Sequence, residues 1–212
     1  MKKIFFIIGM IVLSFNLYSQ DDTSENNGEI KTLFGQAKSH GGYGAPIYRY
    51  GIINKNGAYI NGGRGAWIIN HSFALGGGGV SFASEIMHDQ AAGVNYQLNG
   101  GYGGILLEPI LLYKFPLHIA IPVLIGAGGS SYIVKDYMNE DYIEDTKPFF
   151  VAEPGVELEI NVLKFFRLNF GAYYRYTYGG RLRYSDGEVI NAVRPDALND
   201  LSFGITLKFG KF

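Results

Sequence analysis

The chain has no cysteine, so no disulfide framework is available and no lipid-modified cysteine can anchor it. It has no run of basic residues, which argues against nucleic acid as a partner. It lacks HExxH and any paired-histidine spacing that would hold a metal. The glycine-rich stretch GGYGGI, Gly100–Ile105, is followed by no helix that would present its N-terminus to a phosphate, so no nucleotide cofactor is implied. Helical periodicity is also missing, apart from one short turn read at Ile30–Phe34. Tryptophan is nearly absent, with one residue, whereas glycine (30), tyrosine (16) and phenylalanine (15) are abundant. With no collagen repeat and no low-complexity tract, that composition points to many strands whose backbones approach closely.

Residues 1–19, MKKIFFIIGMIVLSFNLYS, read as a secretory signal: Lys2 and Lys3, an apolar run from Ile4 to Phe15, then the small Ser19. The run is shorter than the roughly 20 residues of a spanning helix, and a polar, acidic segment follows it. Without the signal, 16 basic residues face 19 acidic ones, and roughly 190 residues remain, enough for one domain. Residues 20–40 read as a flexible N-terminal arm and 41–212 as the folded domain.

From Gly41 onward, alternating or apolar runs are separated by turn signals, and eight strands are expected. They cover residues 43–54, 58–70, 73–86, 96–114, 117–134, 149–162, 166–178 and 201–209. The first hairpin is expected to turn on Asn56-Gly57, and Gly76–Gly79 offer a place for a bulge. Links 2–3, 4–5 and 6–7 are tight, whereas 3–4, 5–6 and 7–8 are long; only link 1–2 breaks the alternation. Long connections therefore gather at one end, with tight turns and both termini at the other. An outer-membrane barrel has that arrangement, while the Greek-key connections of a sandwich give no reason for it.

The faces agree. In the seventh strand Leu168, Phe170, Ala172, Tyr174, Tyr176 and Tyr178 oppose Arg167, Asn169, Gly171, Tyr173, Arg175 and Thr177. In the sixth, Ala152, Pro154, Val156, Leu158 and Ile160 oppose Glu153, Gly155, Glu157, Glu159 and Asn161. Charges at strand centre opposite a dense apolar face fit a lipid-exposed outside and a polar inside. Tyr174, Tyr176 and Tyr178 fall where an aromatic girdle would sit. The expected fold is all-β, an eight-stranded antiparallel up-and-down transmembrane β-barrel. An interior that narrow is filled by its own side chains. The ion-pair candidates inside are Arg49, Arg64, Glu108, Glu153, Glu157, Glu159, Arg167 and Arg175. They form either a plug that fixes the barrel shape or, on a sharper reading, a narrow polar path or a ligand-coordinating cluster.

The tail, LSFGITLKFGKF, alternates with period two. Its Ser202, Gly204, Leu207 and Phe209 resemble the C-terminal assembly signal of bacterial outer-membrane barrels: polar, any, glycine, two of any kind, hydrophobic, any, aromatic. Gly210, Lys211 and Phe212 extend past the usual final aromatic. The whole chain resembles the small OmpA- or OmpX-type barrels and, more closely, uncharacterised outer-membrane barrels from Bacteroidota. The second likeness rests on GGYGAPIYRYGIIN, GGRGAWIINHSFALGGGG and EPGVELEINVLKFFRLNFGAYYRY. These resemblances imply the outer membrane as location, its lipid including lipopolysaccharide as surroundings, and the barrel assembly machinery as a partner during insertion. They imply no activity and leave the surface ligand open.

Catalysis has thin support. His71-Ser72 is read into a turn and His118 beside a proline turn; a Ser84/His88/Glu85 group in a long loop is the one conceivable nucleophile site. The loop DYMNEDYIEDTK (Asp136–Lys147) lacks the calcium-loop pattern and reads as a solvated acidic loop. Arg181, Arg183 and Arg194 in the last loop are placed to meet its acids or lipopolysaccharide phosphates. A structural or surface-binding barrel is thus the first reading. A lipid-modifying barrel enzyme and a soluble secreted β-sandwich that binds a ligand are the alternatives.

Overall fold

The computed structural model describes residues 39–89, 93–135, 141–180, 182–186, 189–194 and 196–212. The signal of residues 1–19, the arm of 20–38 and the turn read at Ile30–Phe34 lie outside them. Twelve strands are present: β1 His40–Ile53, β2 Asn56–Ile69, β3 Phe73–Ser84, β4 Met87–Asp89, β5 Val94–Leu111, β6 Leu117–Ala120, β7 Val123–Lys135, β8 Tyr142–Leu163, β9 Phe166–Gly179, β10 Arg183–Asp186, β11 Val189–Ala192 and β12 Asp200–Lys211. All but β10 and β11 join one antiparallel sheet that closes on itself. β1 pairs with β2, β2 with β3, β3 with β5, β5 with β6 and β7, these with β8, β8 with β9, β9 with β12, and β12 with β1. Because β4 continues β3, and β6 with β7 make one stave, the ring has eight staves and no open edge. The β6–β7 break falls on Ile121-Pro122, where proline has no N–H for the ladder; the register against β5 and β8 is the same on both sides of it.

Three sequence expectations change. The first hairpin turns on Asn54-Lys55, both in the left-handed region (φ 49° and 67°), and Ile53 pairs with Asn56. A two-residue turn on Asn56-Gly57 would have set Arg49 directly opposite Arg64, a like-charge pair that destabilises a sheet. The observed register sets Ala45 opposite Arg64 and Ile60 opposite Arg49. Second, the glycine run Gly76–Gly79 carries no bulge: β2–β3 and β3–β5 stay in register through it. Gly76 faces inward, where a Cβ would overlap the Gly65 carbonyl; the glycine lets β2 and β3 close up without slipping. Third, residues 142–147 of the expected acidic loop belong to β8, and the last loop contains the β10–β11 hairpin.

Parity fixes the two faces. Odd residues of β1 and β9, odd residues of β8 from Asp145 to Asn161, and even residues of β2, β3, β5, β6, β7 and β12 point inward. A bulge between β7 and β8 at Tyr132/Ile133 turns Ile143 outward. In the first three strands apolar residues fall on both parities amid glycine, yet the pairing runs through them without a register change. Their interior positions are apolar as well as charged: Ile47, Ile53, Ile60, Ile68, Val80 and Phe82 are all buried. A lumen of this width is filled by side chains, and those away from the charged level are hydrophobic. One apolar cluster (Ile53, Ile60, Phe82, Leu98, Tyr132, Phe149 among others) fills the loop end, and a second (Tyr43, Ala66, Ile68, Leu106, Ile110) fills the turn end.

Candidate functional site

Between the two apolar clusters lies a layer of charge. Glu108, Glu153, Glu157 and Glu159 enter it from β5 and β8, on strands whose alternation places their neighbours Leu107, Pro154, Val156 and Leu158 outside. Arg49 Nη1 meets Glu153 Oε1 at 2.6 Å, and Tyr102 donates its hydroxyl to Oε2. Arg64 grips Glu157 with two parallel bonds of 2.7 Å and reaches Glu108 Oε2 at 3.2 Å. Tyr173 donates to Glu157 Oε1 and Asn169 to its Oε2. Glu159 takes Arg167 (2.6 Å) and His118 (3.0 Å) on Oε1, and Lys208 (2.5 Å) and Asn169 (2.8 Å) on Oε2. Lys208 also binds Glu108 Oε1 at 2.6 Å, and Tyr43 donates to the Oε2 of the same carboxylate at 2.8 Å. All eight carboxylate oxygens thus accept at least one hydrogen bond. Four carboxylates face four cations, Arg49, Arg64, Arg167 and Lys208, so charge balances in a place where an unpaired ion would cost several kcal/mol.

Arg175 does not join this network. Its Nε donates to the Leu198 carbonyl (2.6 Å) and Nη2 to the Ile52 carbonyl (3.3 Å), and among the described residues it forms no ion pair. It ties down a lid. Leu182, Val193, Ala197 and Leu198 from the β9–β12 connection are buried against the loop-end cluster. Asn54 N–H donates to Ala197 O (2.6 Å), and Asn199 Oδ1 accepts from Thr177 N–H and hydroxyl. At the opposite mouth Phe212 lies over the Arg167 guanidinium, 3.9 Å from it, and against Tyr43. The void among Arg49, Arg64, Glu153 and Tyr173 holds only about 10 Å³, room for at most one water.

Sequence reasoning missed Lys208, His118, Asn169 and the hydroxyls of Tyr43, Tyr102 and Tyr173. Parity was the available signal: Lys208 shares a face with Ser202 and Thr206, and His118 with Ala120 and Leu124, all inward. His118 is therefore a buried partner of Glu159, with Nδ1 3.2 Å from the Phe115 carbonyl, rather than a turn residue.

The suggested Ser84/His88/Glu85 group is not assembled. Ser84 is buried and accepts from Leu98 N–H, while exposed His88 pairs with Asn95 (2.9 Å) and Glu85 accepts from Tyr50. Of the long-loop charges, Asp141 pairs with Lys135 and Asp145 with Lys147. Arg194 donates twice to Asp196, which holds that exposed carboxyl below the usual aspartate range. Asp136, Glu140, Arg181 and the Arg183 side chain lie outside what the structure describes. Among the described residues no group of three or more His, Asp or Glu side chains is placed to hold a metal ion.

The outward face is the reverse of the interior. Tyr48, Tyr50, Tyr59, Trp67, Leu75, Ile105, Ile125, Phe150, Val156, Phe170, Phe203 and Ile205 are all exposed, spread over every stave. Reading the outward positions along β1, β2, β3, β5, β6, β7, β9 and β12, and along β8 from Pro148 to Val162, the only charges are Lys135 and Lys211, both at strand ends. Aromatic residues mark both rims: Tyr50 against Tyr59, with Tyr174, Tyr176 and Tyr178, at the loop end, and Trp67, Phe166 and Phe209 at the turn end. In the tail, Leu207 and Phe209 point outward, Ser202 points inward, and a Cβ on Gly204 would overlap the Tyr48 carbonyl.

No family model matches the chain, and no curated protein matches it either. Solved structures with a similar fold include the following two. One is Ail, the attachment invasion locus protein of Yersinia pestis, determined with the heparin analogue sucrose octasulfate: 9% identity, TM-score 0.47, covering 81% of this chain and 98% of that one. The other is neisserial surface protein A, at 12% identity and TM-score 0.47, covering 82% of this chain and 97% of that one.

Proposed function

We propose that the protein is an integral outer-membrane β-barrel with a side-chain-filled, non-conducting interior, whose role is structural or lies in binding through the loop end. One observation carries the reading: an apolar outer wall, uncharged between aromatic rims, encloses a balanced set of buried charges. Water on that wall would leave a hydrophobic patch far beyond the few hundred Å² that soluble monomers expose, whereas hydrocarbon solvates it at no cost. The export signal read at residues 1–19 and the tail of Ser202, Gly204, Leu207 and Phe209 favour delivery by the secretory and barrel-assembly routes. With the turns and termini on the periplasmic side, the longer loops face outward. There Asp141, Glu144, Asp145 and Asp196 meet solvent, lipopolysaccharide or a surface ligand. Among the described residues none is placed as an activated nucleophile, so a binding role is preferred to lipid modification.

The test uses the mature chain, residues 20–212. Folded in detergent it should show a heat-dependent shift in gel mobility and should precipitate when detergent is removed. In planar bilayers it should give no stepwise conductance. A folded monomer in plain buffer would refute the membrane assignment, and steady ion conductance would refute the filled lumen.

A further inference from the structure

Two turns at the periplasmic end repeat one pattern, Tyr113-Lys114-Phe115 between β5 and β6 and Leu163-Lys164-Phe165 between β8 and β9. The barrel brings them side by side. Asn161 N–H donates to the Pro116 carbonyl (2.9 Å), and Asn161 Nδ2 reaches the Phe115 carbonyl (3.4 Å). Between them opens a bay of about 730 Å³, whose lining includes Lys114, Asn161, Lys164, Arg167 and Phe212 and no acidic side chain. Arg167 forms its floor, already neutralised by Glu159, so the two lysines supply the bay's uncompensated charge.

The surroundings carry the same sign. Across residues 39–43, 69–73, 111–117, 160–168 and 208–212 the sequence has no aspartate or glutamate, yet it has Lys114, Lys164 and Lys211 beyond the paired Arg167 and Lys208. Among the described residues, acidic ones collect at the opposite end: Glu85, Asp89, Asp141, Glu144, Asp145, Asp196 and Asp200. On the outer side of the bay, Phe115, Leu163 and Phe165 are more than half exposed and continue the apolar wall. A cationic recess opening onto a hydrophobic wall matches a molecule with an anionic head and greasy tails.

We propose that this bay binds the phosphodiester of a membrane lipid headgroup, held by Lys114 and Lys164, with the acyl chains laid on the wall at Phe115 and Phe165. The proposal goes beyond the surface role at the loop end and rests on the reading of the barrel as membrane-spanning. Lysine ammonium groups near an anionic lipid surface each favour binding measurably, and two of them facing one phosphate reinforce each other.

The full mature barrel in a neutral detergent, titrated with phosphatidylglycerol and read by native mass spectrometry, should retain one lipid. The double variant Lys114→Ser/Lys164→Ser should bind it roughly tenfold or more weakly, while Lys55→Asn at the other end should leave binding unchanged. Diacylglycerol, which has the tails without the phosphate, should not be retained. Equal retention by the double variant, or of diacylglycerol, would overturn the site. Competition by inorganic phosphate at the lipid's own concentration would make it a soluble-anion site and overturn the lipid assignment. Each variant is first checked for the heat-dependent gel shift, so loss of the bay's function is distinguished from failure of the barrel to fold.

Discussion

Glu157→Ala is the most informative single change. The carboxylate is fully buried and accepts two bonds from Arg64, one from Tyr173 and one from Asn169. Its removal leaves Arg64 with only the longer 3.2 Å contact to Glu108. Breaking one side of a buried pair costs about 3–5 kcal/mol, because the remaining charge stays desolvated. At about 1.4 kcal/mol per decade that is two to nearly four powers of ten in the folding equilibrium. The double variant Arg64→Met/Glu157→Met removes both charges and should recover much of the loss. In it Asn169 keeps Glu159 (2.8 Å), Tyr173 keeps Thr206 (3.5 Å), and Glu108 keeps Lys208 (2.6 Å). Glu85→Ala, which loses only an exposed contact to Tyr50, serves as control and should cost less than about 1 kcal/mol. Reversible urea unfolding in detergent measures all three. Trp67 is the reporter, being the chain's one tryptophan and lying half exposed on the outer wall. A Glu157→Ala barrel within about 1 kcal/mol of the parent, or a double variant less stable than the single, would refute the account of the charged layer.

Two further outcomes follow from the geometry. Arg175→Met removes the donors to Leu198 and Ile52, so protease should cut the segment around residues 193–199 faster; stability should fall by about 1.5–3 kcal/mol, the range for hydrogen bonds to a charged group. Unchanged cleavage would mean that Arg175 does not hold the lid. Gly76→Ala, whose Cβ overlaps the Gly65 carbonyl, should lower the yield of heat-modifiable barrel, whereas Gly44→Ala, with nothing within 4 Å, should fold like the parent. Equal yields would mean that the close approach of β2 and β3 relaxes without cost.

The eight staves were legible because alternation is local. β8, β9 and β12 declare their two faces within five or six residues, whereas in β1, β2 and β3 apolar residues fall on both parities amid glycine, and only the pairing showed their faces. Arg49, Arg64, Glu108, Glu153, Glu157, Glu159 and Arg167 were legible as interior residues for the same reason, since a charge opposite an apolar face has one side on which to lie. The first hairpin was misread because Asn56-Gly57 is the stronger local turn signal. Its register would have faced Arg49 with Arg64, a conflict between residues fifteen apart that no dipeptide preference weighs.

By itself, then, the sequence determined which residues face out and which face in along the second half of the chain, and that the molecule has two unlike ends. Period-two alternation needs only the pleat of one strand, so no knowledge of neighbours is required. Closure of the ring and the register of each seam were decided by the tertiary structure alone. So were the pairing of Lys208 with both Glu108 and Glu159, the diversion of Arg175 to a lid, and the placing of Lys114 and Lys164 around one bay. Those are relations between residues as many as 169 positions apart, as in the pairing of Gly42 with Lys211, and they exist only when every strand has taken its place beside two others.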